Sequence, residues 1–210
     1  RGLGDVYKRQ GHGVRSAMLS FTLGKVLSSS IEEGSPVKRY DPEHPGSVSI
    51  TSPAAVVTEL NRRFQDKDEA IPYFTMIYGV INTVRGQVQL CQAGHPNPFR
   101  VSRDGTVEAL GSGGFPVGLL PDADYVDIEF SLHKGDRLVC YSDGISECMN
   151  AHQQPFSTER LADHLLQSCV EPLPETLVSL RTRLQDWRHG EPFDDDVSLI
   201  AIEFDNAHAA

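Results

Sequence analysis

The sequence predicts an α+β domain dominated by antiparallel strand pairing. Helical periodicity comes first, strand patterns fill the middle of the chain, and two further helical segments precede one last strand. This order lacks the regular alternation of strands and helices that builds a parallel sheet. The length of 210 residues suits one domain with a sizeable core.

The helices are predicted from apolar residues that recur at the spacing of one helix face. The first begins just after Gly13 and runs to about Ser30. The second begins at Pro53, with Ser52 as its N-cap, and ends near Gln65. The residues predicted to face the core are Val14, Ala17, Met18 and Phe21 in the first helix, Val56, Val57, Leu60 and Phe64 in the second, and Leu177, Val178, Leu180, Leu184 and Trp187 in the last.

Residues 31–52 are predicted to form a loop, because Gly, Pro, Ser and charged residues are frequent there. A hairpin is predicted next, with strands from Tyr73 to Val84 and from Gln87 to Cys91. Further strands are predicted at 98–102, 106–110, 125–132, 136–141 and 197–204, and further helices at 158–168 and 174–189.

The composition narrows the class of protein. The formal net charge of -10 argues against nucleic acid as a partner, because such binding depends on clustered Lys and Arg. No apolar run approaches the length of a membrane span, and no secretory signal is visible. The four cysteines show no CxxC spacing, so we expect reduced, mostly buried thiols in a cytoplasmic protein.

Two acidic stretches carry most of the functional information. They are Ser142-Asp143-Gly144-Ile145-Ser146-Glu147 and Phe193-Asp194-Asp195-Asp196-Val197-Ser198, and each adjoins a predicted strand. If those strands are neighbours, the carboxylates converge at one sheet edge and could bind Mg²⁺ or Mn²⁺, which prefer oxygen ligands. Taken alone, Ser-Asp-Gly also fits a simple turn, and the triple aspartate could protect an edge strand from pairing.

Eight motifs in order resemble the metal-dependent PPM-type protein serine/threonine phosphatases, in the bacterial branch of stage II sporulation and sigma-B stress-regulator enzymes. The resemblance covers nearly everything from Gly11 to Phe204. The motifs are Gly11-His12-Gly13; Leu60-Asn61; Phe74-Thr75-Met76-Ile77-Tyr78-Gly79; Ala93-Gly94-His95-Pro96; Gly114-Phe115-Pro116-Val117-Gly118-Leu119; Lys134-Gly135-Asp136; Tyr141-Ser142-Asp143-Gly144 with Glu147; and Asp195-Asp196-Val197-Ser198.

The resemblance implies an α/β/β/α sandwich of two antiparallel sheets flanked by helices, here lacking the first β-hairpin of the family. It implies hydrolysis of phosphoserine or phosphothreonine by a metal-activated water, with two Mn²⁺ or Mg²⁺ ions per site. It also implies an output domain behind a sensor or receiver domain, acting on a phosphoprotein such as an anti-sigma-factor antagonist.

By match to the motifs, Asp143 and Asp195 resemble direct metal ligands. Asp196 resembles a group that reaches the ions through water or another ligand. Glu147 could orient a ligand, although a solvated helix start explains it equally well. We expect neither His12 nor His95 to be catalytic, because each lies among Gly or Pro and the inferred site uses oxygen donors.

The third family carboxylate precedes the Gly-His-Gly motif, and Lys8 stands at that position. Asp5 mimics the ligand three residues too early, so either an insertion loops out or residues 1–10 are foreign to the protein. We expect a non-native segment at 1–10, a phosphatase domain incomplete at its N-terminus at 11–205, and a disordered tail at 206–210. The alternative function is a catalytically dead, phosphatase-like interaction module; a metal-free structural module is disfavoured, since its acidic turns would repel one another.

Overall fold

The computed structural model describes residues 14–27, 36–40, 44, 47–65 and 73–205. Four helices of ten residues or more, two main antiparallel sheets and a separate two-stranded sheet form this part of the chain. The helices are α1 (Val14–Val26), α2 (Pro53–Arg63), the short α3 (Asp143–Ser146), α4 (Thr158–Gln167) and α5 (Leu173–Trp187). The strands are β1 (Lys38–Tyr40), β2 (Val48–Ile50), β3 (Met76–Ile81), β4 (Gln87–Ala93), β5 (Phe99–Ser102), β6 (Thr106–Ala109), β7 (Ile128–Ser131), β8 (Arg137–Tyr141) and β9 (Leu199–Glu203).

The two main sheets have the strand orders β3-β4-β7 and β6-β5-β8-β9. Every pair in them is antiparallel, as the sequence pattern predicts. The predicted hairpin is confirmed, because β3 and β4 pair from Met76 with Ala93 to Ile81 with Val88. Gly86 closes its turn at φ +70°, a left-handed conformation that glycine adopts without strain.

Three layers of apolar side chains hold the sandwich together. Between the sheets, residues of β4 such as Val88 and Leu90 pack with Leu138 of β8. Outside the first sheet, α2 packs Val56, Val57 and Leu60 on Cys91 and Ala93. Outside the second sheet, α4 and α5 cover its other face. The predicted α/β/β/α layering is therefore confirmed. The buried residues of the outer layer on the second sheet are Phe99, Val101, Val139, Tyr141, Ile145, Cys148, Phe156, Leu161, Leu165, Leu180 and Leu184.

Helix α2 shows how local sequence sets an element. The Ser52 hydroxyl accepts a hydrogen bond from the Ala55 N–H at 3.4 Å, as expected of an N-cap, and Pro53 occupies the first turn. The Ala54 N–H also donates to the Asp127 carboxylate at 2.7 Å, 73 positions away. That second contact joins the helix start to the segment before β7.

The loop predicted over residues 31–52 is wrong in part, because β1 and β2 pair there from Lys38 with Ile50 to Tyr40 with Val48. These strands are three residues long and Val48 and Ile50 are exposed, so no alternation of buried and exposed residues announces them.

Three side chains predicted to face the core are instead exposed, namely those of Phe21, Leu177 and Val178. Phe21 is 66% exposed and lies beneath the Lys25 ammonium group, because α1 turns Leu19, Leu23 and Val26 toward α2. Leu177 and Val178 are 37% and 66% exposed, since Leu180 and Leu184 occupy the inner face of α5. For three residues at the start of α1 the structure describes the helix but not the side chains, so their predicted burial stays a prediction; they are Val14, Ala17 and Met18.

All four cysteines are free, as predicted, with Cys91 and Cys148 buried. Among the described residues, no helix has the length and apolar character needed to cross a bilayer.

Candidate metal centre

The two acidic stretches meet at one end of the second sheet. Strands β8 and β9 are neighbours, and Tyr141 at the end of β8 faces Leu199 at the start of β9. Asp143 follows β8 by two positions, and Asp196 precedes β9 by three. The predicted convergence of the two turns is thus confirmed.

Hydrogen bonds of Ser142 fasten the two turns to each other. Its hydroxyl donates to the Asp196 carbonyl at 3.0 Å and accepts from the Ser198 N–H at 2.9 Å. Its backbone N–H donates to the Ser198 carbonyl at 2.9 Å. The sequence signal for this role is the serine of Ser-Asp-Gly, which we assigned only to turn formation.

Gly144 allows the turns to approach this closely. A Cβ atom at Gly144 would lie 2.4 Å from the Asp196 carbonyl oxygen, well inside van der Waals contact. Glycine is therefore required here for close backbone approach, although its own φ lies outside the left-handed region. The sequence predicts a turn at Gly144, but only the folded structure shows that the turn packs against the Asp196 carbonyl, 52 positions away.

The carboxylates at this edge are exposed and retain most of their acceptor capacity. Asp143 accepts from the adjacent Gly144 N–H at 3.0 Å, and Asp195 accepts from the Asp196 N–H at 2.7 Å. Within the described ranges, no Lys, Arg or His forms an ion pair with Asp143, Asp195 or Asp196. Exposed oxygen donors on fixed turns, without a protein cation, fit hard ions such as Mg²⁺ and Mn²⁺.

The three consecutive aspartates have two different roles, one in supporting the turn and one in offering free carboxylates. Asp194 forms an ion pair with Arg188 at 2.9 Å and so belongs to the support of the turn. Asp195 and Asp196 remain at the open edge. Glu147 is exposed at the C-terminal end of α3, where its N–H donates to the Asp143 carbonyl at 2.8 Å.

The positions assigned to the third ligand lie outside the described residues. These are Asp5 and Lys8, and His12 also falls there. In the described part of the chain, no cluster of three or more His, Cys, Asp or Glu side chains is assembled for a metal. His95 lies after β4, with its Nδ1 3.1 Å from the Pro96 carbonyl oxygen.

The sequence profile of the family described as stage II sporulation protein E matches residues 2–205. The chain belongs to this family. Among curated relatives of this SpoIIE-family chain, phosphoserine phosphatase RsbU of Bacillus subtilis is 30% identical over 71% of the chain and 44% of RsbU. Phosphoserine phosphatase RsbP of the same organism is 26% identical over 92% of the chain and 43% of RsbP. The chain thus spans less than half the length of either relative.

Solved structures show the same fold. The SiaA-PP2C domain of Pseudomonas aeruginosa superimposes with a TM-score of 0.70 at 24% identity, over 93% of this chain and 73% of that one. The phosphatase domain of SpoIIE from Bacillus subtilis, presoaked with manganese, gives a TM-score of 0.56 at 18% identity, over 92% of this chain and 74% of that one. The SpoIIE-family chain therefore has the PP2C-type phosphatase fold.

Several motifs of the SpoIIE-family chain support the sandwich away from the carboxylates. The buried Asn61 side chain donates to the Leu120 carbonyl at 2.9 Å and accepts from the Gly118 N–H at 2.7 Å, which fixes the Gly-Phe-Pro loop on α2. Gly94 has φ +68°, and a Cβ there would lie 2.6 Å from the Pro116 ring. These contacts explain residues that the sequence marked without assigning a role.

Asp136 at the start of β8 is the third recognisable acidic motif, and its role is also structural. It accepts from the His133 N–H at 2.9 Å and the Arg103 N–H at 3.2 Å, and lies 3.5 Å from the Arg100 guanidinium. Burial opposes ionisation of this carboxyl, but the two backbone hydrogen bonds and Arg100 outweigh it and hold the pKa of Asp136 below its ordinary value.

A groove of about 540 Å³ borders the acidic edge. Asp195 and Asp196 line it together with apolar side chains of α5 and of the following segment, including Leu177, Leu184 and Phe193. The groove places an apolar surface beside the exposed carboxylates.

Proposed function

We propose that this chain is a metal-dependent phosphoprotein phosphatase that hydrolyses phosphoserine or phosphothreonine. The observation that carries this proposal is the pair of exposed acidic turns at the β8 and β9 ends, fastened by Ser142 and closely packed at Gly144. Membership of the SpoIIE family supports it, and so do the names of RsbU and RsbP, which are phosphoserine phosphatases.

Two Mn²⁺ or Mg²⁺ ions are proposed to bind at this edge. Asp143 and Asp195 would hold them directly, Asp196 would contact them through water or another ligand, and a further carboxylate would come from the segment before Gly11, where Asp5 is the candidate in this chain. When bound, such ions supply an activated water and neutralise charge on the phosphoryl group.

The protein itself contributes position and access. Ser142 and Gly144 fix the spacing of the turns, so the carboxylates need little rearrangement when a ligand binds. Their exposure lets a phosphorylated residue on another protein approach. The groove beside Asp195 offers apolar contacts to the residues that flank the phosphorylated side chain.

The substrate and the regulator are proposed from the membership of the chain in the SpoIIE family. A phosphorylated anti-sigma-factor antagonist is the proposed substrate class, and a sensor or receiver domain is the proposed regulator. The proposed location is the cytoplasm, where such regulators act.

The test is release of phosphate from a small aryl phosphate, with and without Mn²⁺, by the 210-residue chain and by a version in which the residues before Gly11 are replaced by the family's Asp-Val-Ser sequence. We expect the restored version to need Mn²⁺ for activity and to lose at least about 100-fold in Asp143→Asn and Asp195→Asn, since even groups that only orient metal ligands matter by 10- to 100-fold. The 210-residue chain itself is expected to be poorly active or inactive, because Lys8 stands at the family position of the third carboxylate. Asp163→Asn, on the exposed face of α4, is the matched control. Absence of Mn²⁺-dependent activity in the restored version would refute the proposal.

The second candidate is a non-catalytic interaction module. The observation that favours it is Lys8 at the expected ligand position, because an ammonium group there would repel the ions. It predicts that the 210-residue chain neither binds Mn²⁺ nor releases phosphate, while Lys8→Asp leaves both unchanged.

A further inference from the structure

Arg188 is the residue directly after the end of α5. Its side chain is only 8% exposed, unusual for an arginine outside an interface. The guanidinium donates to the Met149 carbonyl at 3.2 Å, to the Glu191 carbonyl at 3.2 Å and to Asp194 Oδ2 at 2.9 Å. A further short hydrogen bond reaches the Pro192 carbonyl.

These acceptors belong to two different segments. Met149 follows the turn that carries Asp143, whereas Glu191, Pro192 and Asp194 lead directly into Asp195. One guanidinium therefore joins the segment that follows the Asp143 turn to the segment that leads into Asp195.

The preceding residue reinforces the same link. Trp187 Nε1 donates to the Cys148 carbonyl at 3.0 Å, next to the Met149 carbonyl that Arg188 contacts. The last residue of α5 and the residue after it thus donate to two consecutive carbonyls that follow the Asp143 turn. The Phe193 ring also lies 5.8 Å from the guanidinium carbon.

Only arginine has the donors for this set of contacts. Its planar fork offers five N–H groups in fixed directions, whereas a lysine ammonium is a compact charge that cannot span acceptors on two segments. Its charge also lies beside Asp194 and so offsets part of the repulsion within the triple aspartate.

We propose that Arg188 is a positioning residue that fixes the two acidic turns at the spacing at which they bind divalent ions. It touches neither substrate nor ions and acts through Asp194 and the two backbones. The role in metal binding rests on the proposed function; the role in holding the turns together does not.

The first test measures how well the two acidic turns are protected from amide hydrogen exchange in the absence of metal. Amide hydrogen exchange is compared in the 210-residue chain, in Arg188→Met and Arg188→Lys, and in the control Arg183→Met, whose side chain contacts Gln167 and the Phe156 ring instead. We expect faster exchange at residues 142–149 and also at 194–198 in Arg188→Met, a smaller effect in Arg188→Lys, and no change at either segment in Arg183→Met. Unchanged exchange at either segment in a folded Arg188→Met variant would overturn the proposal.

The second test measures Mn²⁺ affinity from the electron paramagnetic resonance of free Mn²⁺, below the melting temperature of every variant. We expect the apparent Kd to rise about 10- to 100-fold in Arg188→Met and less in Arg188→Lys, as for other groups that orient metal ligands. Asp136→Ala, which weakens the opposite end of β8, controls for general destabilisation and is expected to keep the parent affinity.

An equal loss of affinity in Asp136→Ala, or parent affinity in Arg188→Met, would overturn the role of Arg188 in metal binding. If the 210-residue chain binds no Mn²⁺, the same comparison is made in the version with the restored Asp-Val-Ser sequence. Absence of Mn²⁺ binding there counts against the proposed function instead, and the exchange measurement then decides the positioning role by itself.

Discussion

The two ends of strand β8 carry aspartates of opposite character. Asp136 before the strand is 4% exposed and accepts two backbone N–H groups, from His133 and Arg103. Asp143 after the strand is exposed, and the one described hydrogen bond to its carboxylate comes from the adjacent Gly144 N–H. The chain thus uses the same side chain in two ways within eight positions.

The difference separates a structural carboxylate from one available to a ligand. Donors of the protein surround Asp136, so its charge stabilises the fold and its acceptors are used. The oxygens of Asp143 and Asp195 remain accessible, while the backbones that carry them are held by Ser142 and Gly144. A binding site of this kind needs rigid backbones and unsatisfied side chains at once.

Asp136→Ala should cause the largest loss of stability. It leaves the His133 and Arg103 N–H groups and the Arg100 guanidinium without their acceptor, which costs about 2–4 kcal/mol of unfolding free energy. Urea denaturation measures it. The control is Asp104→Ala, an exposed turn residue that accepts from one N–H, where less than about 1 kcal/mol is expected. Equal losses in both variants would contradict the structural role.

Gly144→Ala should destabilise by about 1–3 kcal/mol, because the added methyl group overlaps the Asp196 carbonyl and forces the turns apart. It should also weaken Mn²⁺ binding. Gly24→Ala on α1 has open space around the new methyl group and should be neutral or slightly stabilising. A well-tolerated Gly144→Ala with parent Mn²⁺ affinity would show that the close approach is dispensable.

Ser142→Ala should cost about 1 kcal/mol, the usual value for hydrogen bonds of a neutral side chain. The loss comes from the contacts to the Asp196 carbonyl and the Ser198 N–H, which join the two turns. Ser146→Ala is the control, since its hydroxyl bonds to Asp143 within the same turn. Thermal unfolding should rank Ser142→Ala below Ser146→Ala in stability, and the reverse order would argue against cross-linking by Ser142.

Asp143→Asn and Asp195→Asn should not lower the stability of the fold, in contrast to Asp136→Ala. Without metal, they should leave Tm unchanged or raise it slightly, because each removes repulsion among exposed carboxylates. Mn²⁺ should raise the Tm of the parent by mass action but should not raise that of the variants. A marked loss of Tm in the metal-free variants would mean that these carboxylates are structural, like Asp136.

The smallest expected effect is on the pH dependence of stability. The pKa of Asp136 is lowered in the folded protein, so its ionisation contributes stability above the ordinary aspartate pKa of about 4, and this contribution is lost as the pH falls through the folded value. Urea midpoints of the parent and of Asp136→Asn, measured between about pH 6 and pH 3, should therefore converge as the pH falls. Parallel curves would exclude a contribution from this carboxyl.

Much of the fold follows from the sequence, because apolar periodicity and turn residues act locally. The hairpin of β3 and β4, the cap of α2 at Ser52 and the strand next to the triple aspartate were all predicted. The loop prediction for residues 31–52 was wrong in part, because short exposed strands carry no pattern of buried and exposed residues. The predicted burial of Phe21, Leu177 and Val178 was wrong, because the packing partner decides which face of a helix is buried.

The sequence alone determined that this chain has two acidic turns in the order and context of a SpoIIE-family phosphatase domain. Only the tertiary structure decided which acidic residues stabilise the fold and which remain available to bind a ligand. Asp194 pairs with Arg188, Asp136 is satisfied by backbone donors, and the turn of Asp143 is joined to that of Asp196 at the end of two paired strands. The physical reason is that the role of a carboxylate depends on the donors around it, and those donors, from Ser142 to Arg188, come from residues far apart in the chain.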